Sequence, residues 1–486
     1  MSRAGCGNEI PSSKLQPRAT TSLAGTSAIK PCDEFLAGSV GDDYSRGMTT
    51  PSRNPFLSGR AAWLLGALLL LLPASNFNAG AAGARWWKGN LHTHSLWSDG
   101  DDYPESIARW YKGHGCHFLM FTDHNVLSAG ERWIDVEKNK GGRGAFDKYV
   151  KRFGADWVET RTDKNGRKQV RLRGLAEFRS LFEERNRFLL IQGEEITARF
   201  LPGPGRRSLP VHVNATNLKE LVIPQSGNSV AEVLRKNVDA VFEQRERTGQ
   251  PMFAHLNHPN FFYAVTAEDL MKIANERFFE VYNGHPSVHN EGDETHAGTE
   301  RMWDIINAFR LGELGLEPLY GLATDDGHSY HEFNSGKSNP GRGWVMVRAT
   351  RLTANGVVEA MEAGRFYSSS GVVLKDVKRS RKGLSLQIEG DTGATYTTRF
   401  IGTRKGFDRA SKPVLDQDGK ELRATRRYSR DIGVVLKEVA GLKADYRFKG
   451  DELYVRAVIT SSKKKENPYR EGEFETAWTQ PVVVAE

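Results

Sequence analysis

The stretch Leu91-His92-Thr93-His94-Ser95-Leu96-Trp97-Ser98-Asp99-Gly100 decides the fold that this sequence predicts. Side chains two positions apart in a strand point to the same side, so His92 and His94 present two imidazoles that can bind one metal ion. Asp99 follows five residues after His94, and Gly100 lets the chain turn back toward the same place. Two histidines alone are a weak signal, so the rest of the chain has to supply further ligands.

Six more apolar or β-branched runs end in polar residues, as the first run, Trp86–His94, does. They are Phe118–Asn125, Phe188–Thr197, Val211–Thr216, Met252–Pro259, Phe278–His285 and Leu319–His328. Strands that alternate with helix-like stretches predict parallel β/α units, and chemistry gathers at the carboxyl ends of such strands in a barrel. Val211–Thr216 follows its predecessor too closely for a crossover helix, so we expect this run to pair more irregularly.

Composition places the chemistry in the middle of the chain. All 13 histidines lie between His92 and His331. With 486 residues the chain is long enough for two folded units. Residues 371–486 carry 24 Lys and Arg against 17 Asp and Glu, and hold most of the net charge of +8. A basic surface there can attract an acidic polymer or membrane, although a solvated surface is the commoner reason for such charge.

The first 84 residues predict export. Residues 1–47 are rich in Ser, Thr, Gly and Pro and are expected to be disordered or untranslated, with Met48 as the true start. Residues 48–84 combine a positive beginning, the apolar run Ala61–Ala74 and small residues before Arg85, which is typical of a secretory signal peptide. We therefore expect a periplasmic, extracellular or surface location, with an N-terminal membrane anchor as the alternative. Cys116 is then the single cysteine of the mature chain, which excludes an internal disulfide framework.

Two further regions are predicted from pattern. Residues 126–187 interrupt the strand–helix alternation with a hairpin, Trp157–Leu172, and a helix over 176–187. A lid over the active face and a peripheral decoration are both open interpretations of this insertion. Residues 371–486 show short β runs separated by turns, at Leu384–Ile388, Tyr396–Ile401, Leu453–Ile459 and Trp478–Val484, and predict an all-β domain.

Residues 85–370 resemble the PHP superfamily, metallophosphoesterases related to the PHP domain of bacterial DNA polymerases and to histidinol phosphatase. The resemblance rests on six motifs in order: His92-Thr93-His94 with Ser98-Asp99-Gly100, Thr122-Asp123-His124-Asn125, Gly193-Glu194-Glu195-Ile196, Val211-His212, Asn257-His258-Pro259 and Asp325-Asp326-Gly327-His328. The chain is most similar to exported members with a C-terminal β domain. The resemblance implies an α/β fold, a distorted (β/α)7 barrel followed by a small all-β, sandwich-like domain.

The same resemblance implies three divalent metal ions. His92, His94 and Asp326 would hold the first ion, Glu195 would bridge it to a second completed by His212 and His258, and Asp99, His124 and His328 would hold the third. This mixture of imidazole nitrogens and carboxylate oxygens suits Zn²⁺, Mn²⁺ or Fe rather than Ca²⁺. Glu195 is preferred to Glu194 because alternation along the strand turns Glu194 away from the site.

Further residues are assigned to catalysis and substrate binding. His255 and His285 are candidate proton donors to a leaving group. Asp123 is a third candidate catalytic residue, which is expected to orient a ligand imidazole. Arg199 and Arg342, whose planar guanidinium groups suit oxyanions, and Asn283 are candidate substrate-binding residues.

The sequence therefore predicts a metal-dependent phosphoesterase in which clustered ions turn a bridging water into hydroxide for in-line attack. The same cluster could instead cleave a carbamate, an amide or a carboxylic ester, and a non-catalytic exported binding protein is a third interpretation. The expected partner is a small or polymeric phosphoester, with nucleic acid left open, and no obligate protein partner is evident. Which phosphoester is hydrolysed does not follow from the sequence.

Overall fold

The computed structural model describes residues 83–484 as a mixed α/β protein built on one long mixed sheet. The described part contains the α-helices α1 (Pro104–Gly113), α2 (Gly142–Phe153), α3 (Leu175–Phe182), α4 (Val230–Thr248), α5 (Ala267–Leu270), α6 (Thr299–Phe309), which a π-helical turn (Arg310–Leu314) continues, and α7 (Ala354–Glu362). Its first twelve strands are β1 (Arg85–Asn90), β2 (Phe118–Phe121), β3 (Arg132–Asp135), β4 (Thr160–Thr162), β5 (Lys168–Leu172), β6 (Leu189–Phe200), β7 (Leu209–Thr216), β8 (Phe253–Leu256), β9 (Phe278–Asn283), β10 (Tyr320–Thr324), β11 (Trp344–Ala349) and β12 (Phe366–Ser369). The later strands are β13 (Val373–Ser380), β14 (Gly383–Glu389), β15 (Tyr396–Arg404), β16 (Ser411–Lys412), β17 (Arg427–Tyr428), β18 (Val434–Ala440), β19 (Lys443–Arg447), β20 (Glu452–Lys464), β21 (Phe474–Thr479) and β22 (Val482–Val483).

Seven strands of the long sheet carry the predicted polar ends, in the order β10-β9-β8-β7-β6-β2-β1. The pairs β1–β2, β2–β6, β8–β9 and β9–β10 are parallel, whereas β7 is antiparallel to both β6 and β8. A parallel bridge between Thr93 and Gly327 joins the chain beyond β1 to the chain beyond β10. The run Val211–Thr216 lies in β7, and its antiparallel pairing agrees with the irregular pairing that the sequence predicts.

Helix α4 shows why the connections form where they do. Its apolar residues recur at the spacing of one helical face, and Val233, Val238 and Val241 are fully buried in the largest apolar core together with residues of β7 and β8. Ser229 caps the first turn by accepting the Glu232 N–H at 3.1 Å, and Gly249 ends the helix with φ of 65°. The helix therefore fixes the two strands that lead to His212 and His258.

The insertion of residues 126–187 forms a three-stranded antiparallel sheet, β3-β5-β4, with helices α2 and α3. The predicted hairpin is confirmed as β4 and β5, whereas β3 and α2 are elements that the sequence did not predict. Helix α3 ends at Phe182 rather than at the predicted residue 187. The next residue, Glu183, has extended backbone angles and accepts the Leu190 N–H at 3.0 Å, which ties the chain to β6 instead of extending the helix.

The C-terminal part consists of strands, as predicted. β11 pairs antiparallel with β1 and β12, β12 pairs with β21, and the sheet then continues through β20, β15 and β18. A second sheet, β13-β14-β19, shares one buried apolar core with it, in which Leu386 and Tyr446 lie with Phe400 and Ile459. The predicted runs are confirmed as parts of β14, β15, β20 and β21 with β22. The long sheet contains strands from both sides of position 370. The domain boundary predicted at that position therefore stays a prediction.

The predicted extension and signal peptide, residues 1–84, fall outside the described residues except for the last two positions. Within residues 83–484, no helix is both long and apolar enough to cross a lipid bilayer. Cys116 is a buried free thiol.

A buried ion pair connects α6 to β20. Arg456, 1% exposed, donates two parallel hydrogen bonds to Asp304, from Nε to Oδ1 at 2.8 Å and from Nη2 to Oδ2 at 2.7 Å. The Tyr454 hydroxyl donates a third bond to Oδ1 at 2.8 Å. Removing the arginine would leave the carboxylate buried without its counter-charge.

We predict that Arg456→Ala lowers the free energy of unfolding by about 3–5 kcal/mol. The matched control is Arg404→Ala, which removes the arginine of an exposed pair with Asp451 and should cost less than about 1 kcal/mol. Urea denaturation of both variants measures the difference. Equal, small losses for the two variants would contradict the role given to the buried pair.

Candidate metal centre

Nine side chains meet at one end of the seven strands. Most follow a strand end or lie near the end of a strand, so the pairing of the strands brings them together; they are His92, His94, Asp99, His124, Glu195, His212, His258, Asp326 and His328. Their ligand atoms form four groups that could hold a metal ion, in each of which the atoms lie within 4.8 Å of one another. All nine residues proposed as metal ligands from the sequence therefore lie in one cluster.

Glu195 stands between two sets of imidazoles. Its Oε1 lies 3.0 Å from Nδ1 of His212 and 3.3 Å from Nε2 of His258. Its Oε2 lies 3.2 Å from Nε2 of His94 and 2.9 Å from Nδ1 of His124, yet this buried oxygen accepts no hydrogen bond of good geometry. A buried carboxylate oxygen without a donor is costly, and a metal ion would satisfy it. The donor set thus fits a carboxylate that bridges two ions.

The two histidines of the first motif bring their Nε2 atoms close together. Nδ1 of His92 lies 2.7 Å from Oε1 of Glu280, so a neutral ring that donates its Nδ1–H there keeps the Nε2 lone pair for a metal ion. That Nε2 lies 3.1 Å from Nε2 of His94 and 3.2 Å from Oδ1 of Asp326. Atoms that carry lone pairs pack this closely around a cation.

Asp99 gathers another group. Its Oδ1 lies 3.3 Å from Nε2 of His328 and 3.6 Å from both Nε2 of His124 and Nδ1 of His94. His94 therefore offers one ring nitrogen to each of two groups. Gly100 makes this turn possible, because a Cβ at this position would lie 2.5 Å from the carbonyl oxygen of His94.

The grouping of ligand atoms differs in part from the one that the resemblance implies. His258 lies in one group with His92 and Asp326, whereas the resemblance places it with His212. His124 lies both with Asp99 and with Glu195 and His212. The four groups share residues, so the cluster is more compact than three separate metal sites would be.

The electrostatics of the cluster favour positive charge. Burial alone would raise the pKa values of Glu195, Asp326 and Asp99, but the surrounding imidazoles hold all three well below their usual range. Burial would lower the pKa of His94, but hydrogen bonds to Asp326 and Glu195 raise it to about 10. The carboxylates thus stabilise a proton on the His94 ring, and a divalent cation would supply the same charge.

Backbone strain is concentrated at the cluster. His258 has φ of 23° and Asp326 has φ of 50°, both in the left-handed region that favours glycine. Such conformations cost about 1–3 kcal/mol each and persist where the surroundings enforce them. The N–H of His258 donates to Oε2 of Glu280 at 2.7 Å, and the carbonyl of Asp326 accepts from Nδ1 of His328 at 2.8 Å. These bonds hold the strained residues in place.

Glu280 is the residue of the centre that the sequence did not single out. Its carboxylate bonds His92 and the His258 N–H, and also accepts the Thr324 hydroxyl and the Asn283 amide at 2.7 and 2.8 Å. Burial would raise its pKa, but the charge of His92 holds it below the usual range. The signal was present, since an acid within the apolar run of β9 must have buried partners.

Asp123 does not contact an imidazole, which corrects the role predicted for it. Its Oδ1 accepts the Ser95 N–H at 2.8 Å and the Ser98 hydroxyl at 2.6 Å, and its Oδ2 accepts the Ser95 hydroxyl at 2.8 Å. Asp123 therefore shapes the turn between His94 and Asp99. Through that turn it places two ligands without touching either ring.

The two candidate proton donors occupy different positions. His255 is fully buried, neither ring nitrogen has a hydrogen-bond partner, and its Nε2 lies 3.7 Å from Oε1 of Glu280. His285 is partly exposed, and its ring lies 5.7 Å from that of His328. Its Nδ1 accepts the Ser287 N–H at 3.1 Å, so the neutral ring carries its proton on Nε2. Burial lowers the pKa of His285 to about 4, and the neutral ring can donate a hydrogen bond.

Two predicted substrate-binding residues have structural partners instead. Asn283 is fully buried and donates to Oε2 of Glu280 at 2.8 Å and to Oδ2 of Asp326 at 3.2 Å. Arg342 is 1% exposed, and its guanidinium donates to a set of loop acceptors, among them the carbonyls of Gly284, Lys337, Asn334 and Asn467. Its donors are used by the protein, which leaves none for a phosphate.

Lys140 contacts the cluster from its solvent-exposed outer side, and Arg199 is an exposed cation further along β6. Arg199 is exposed and, by alternation along β6, lies on the same side of the strand as Glu195. Lys140, between β3 and α2 of the insertion, is half exposed and donates to the carbonyl oxygen of Asp99, with its Nζ 3.8 Å from Oδ2 of that residue. The insertion therefore reaches the metal centre at Asp99. The sequence identified Arg199 but not Lys140.

No family model matches this sequence, and no curated protein does. Among solved structures, a two-domain protein from Bacteroides vulgatus containing a predicted PHP-like metal-dependent phosphoesterase aligns with a TM-score of 0.35 and 16% identity, over 82% of this chain and 96% of that chain. A protein from Bifidobacterium adolescentis, described as a candidate metal-dependent phosphoesterase, aligns with a TM-score of 0.26 and 13% identity, over 56% of this chain and 94% of that chain. The chemistry of the site follows from its side chains and not from similarity this low.

We predict that Glu280→Gln weakens metal binding by about 10- to 100-fold, because the His92 ring loses the carboxylate that orients it. Competition with a metal-sensitive dye measures the affinity. Glu194→Gln is the matched control. Glu194 is equally buried and accepts the Val222 N–H at 2.9 Å, and burial raises its pKa to about 8, so glutamine replaces a carboxyl group that is already neutral at pH 7. Unchanged affinity in Glu280→Gln would remove Glu280 from the centre.

Proposed function

We propose that this protein is an exported metal-dependent phosphoesterase with a trinuclear centre in a distorted (β/α)7 barrel. The observation that carries the proposal is the position of Glu195, whose two oxygens face two different sets of imidazoles. Three carboxylates and six imidazoles in one compact cluster form a donor set for Zn²⁺, Mn²⁺ or Fe. A non-catalytic binding protein would have no need for so complete a set.

Divalent ions bound here would supply Lewis acidity and lower the pKa of a water molecule. The chain's own residues have separate tasks. Glu280 and Asn283 orient His92 and Asp326. His285 presents a neutral Nε2–H, able to donate a hydrogen bond to an oxygen of a bound phosphoryl group or of its leaving group. None of these tasks requires a nucleophilic side chain of the protein.

The charge of the outer side supports a phosphoester over a neutral carbonyl compound. Lys140 lies there, with its Nζ 3.8 Å from Oδ2 of Asp99, and Arg199 is exposed on the Glu195 side of β6, four residues beyond that ligand. A phosphomonoester carries negative charge that such cations attract, whereas a carbamate or carboxylic ester carries none at the reacting group. A carbonyl hydrolase on the same cluster is therefore the second candidate.

We predict that His94→Ala and Asp326→Ala each lower metal content and abolish turnover together. His94 belongs to two of the four ligand groups, and Asp326 belongs to a third and lies 3.3 Å from Nε2 of His94. Elemental analysis and phosphate release are measured on the same preparations. His114→Ala, which removes an exposed imidazole stacked on Trp110, should change neither. Full activity in either ligand variant would contradict the assignment.

A panel of substrates distinguishes the two hydrolase candidates. We expect the metal-loaded protein to release nitrophenol from nitrophenyl phosphate or bis-nitrophenyl phosphate faster than from nitrophenyl acetate or a nitrophenyl carbamate. The physical reason is the cationic outer side, so the preference should diminish in Arg199→Ala and in high salt. Faster cleavage of the ester or carbamate would favour the carbonyl hydrolase.

A further inference from the structure

A strained aromatic turn lies beside the metal centre. Phe262 and Tyr263 have φ of 54° and 53°. Together with His258, they make three non-glycine residues within positions 258–263 that adopt left-handed conformations. The Phe262 side chain is 43% exposed. Strain of this kind persists where the surrounding structure enforces it, and it concentrates at functional sites.

Ring contacts connect this turn to the ligands. The ring of Phe261 lies 5.1 Å from that of His258 and 6.0 Å from that of His285. The ring of Phe262 lies 4.3 Å from that of Phe261. Only the Phe261 ring therefore separates the exposed Phe262 from His258 and His285, which would lie next to a bound substrate.

An arginine from a second element completes the arrangement. Arg207, in the loop between β6 and β7, places its guanidinium carbon 3.5 Å from the centre of the Phe262 ring. It is exposed, and no described carboxylate pairs with it. The cation–π contact favours this position of the guanidinium and leaves its N–H groups available. Arg206 is next to it with the same charge but has no such ring contact.

We propose that Arg207 and Phe262 form a leaving-group subsite that recognises a second anionic group on the substrate. This inference rests on the proposed function and specifies its substrate class, a phosphoester whose leaving group carries a carboxylate or a further phosphate. The phosphoryl group lies at the ligand cluster, the leaving group lies along Phe261 and Phe262, and Arg207 binds the distal anion. The planar guanidinium, placed over the Phe262 ring, is suited to the two oxygens of such a group.

Two pairs of probes test the subsite. Calorimetry compares the binding of phenylphosphonate with that of 4-carboxyphenylphosphonate to the metal-loaded protein, and phosphate release compares phenyl phosphate with 4-carboxyphenyl phosphate. Arg207→Ala should weaken binding of the carboxylated phosphonate by about tenfold or more, the usual worth of a charge-assisted hydrogen bond. Arg206→Ala, which removes the same charge from the neighbouring position, should change the ratio of the two affinities less than twofold.

The outcomes separate the subsite from the activity. Equal losses in Arg206→Ala and Arg207→Ala would mean general attraction by charge and would overturn the subsite, as would an unmodified protein that binds both phosphonates equally. Phosphate release without any preference for the carboxylated compounds leaves the phosphoesterase standing and removes the subsite. A preference that depends on Arg207, found without release of phosphate from either ester, supports the subsite and refutes the proposed function.

Discussion

The carboxylate of Glu195 is the constraint on which the rest of the structure depends. One oxygen has to face His212 and His258 while the other faces His94 and His124, so strands on both sides of β6 must deliver imidazoles to a single carboxylate. A parallel neighbour, β2, brings His124, which forms a bridge with Glu195 itself. On the other side the antiparallel hairpin places His212 opposite Thr197, two residues beyond Glu195. The irregular pairing of β7 is therefore a direct requirement of the site.

A second buried carboxylate, Glu280, organises the interior beneath that cluster. It fixes the ring of His92 and binds the backbone N–H of His258, so it positions one ligand through its side chain and another through its main chain. His258 can then adopt its strained backbone angle, because the hydrogen bond offsets part of the cost. The centre is thus held rigid by groups that lie outside its ligand set, which is how metal sites fix the direction of their lone pairs.

The sequence predicted the seven strand runs from local pattern, whereas the set of nine clustered residues was implied by the resemblance of its motifs to a known family. Alternation identifies a strand, and residues such as His94 and Asp326 stand at strand ends where polar groups are otherwise unexpected. The role of Arg342 and the sharing of ligands between groups could not be predicted in the same way, whereas Glu280 left a signal as an acid within the apolar run of β9. The partners of Arg342 are carbonyls of Gly284, Lys337 and Asn467, which are far apart in the chain and carry no sequence signature. Their roles follow from tertiary packing alone.

The same arginine gives the C-terminal strands a physical role at the centre. Asp325 accepts the N–H groups of Arg342 and Gly343 at 2.6 and 2.8 Å, which fixes the backbone next to the ligand Asp326. The guanidinium of Arg342 in turn donates to the carbonyl of Asn467, in the connection between β20 and β21, at 3.1 Å. A chain of hydrogen bonds therefore runs from the C-terminal hairpin to the residue that precedes Asp326. Asp326 is itself strained, with φ of 50°, so these bonds from the C-terminal part act together with the bond from His328 to hold its backbone.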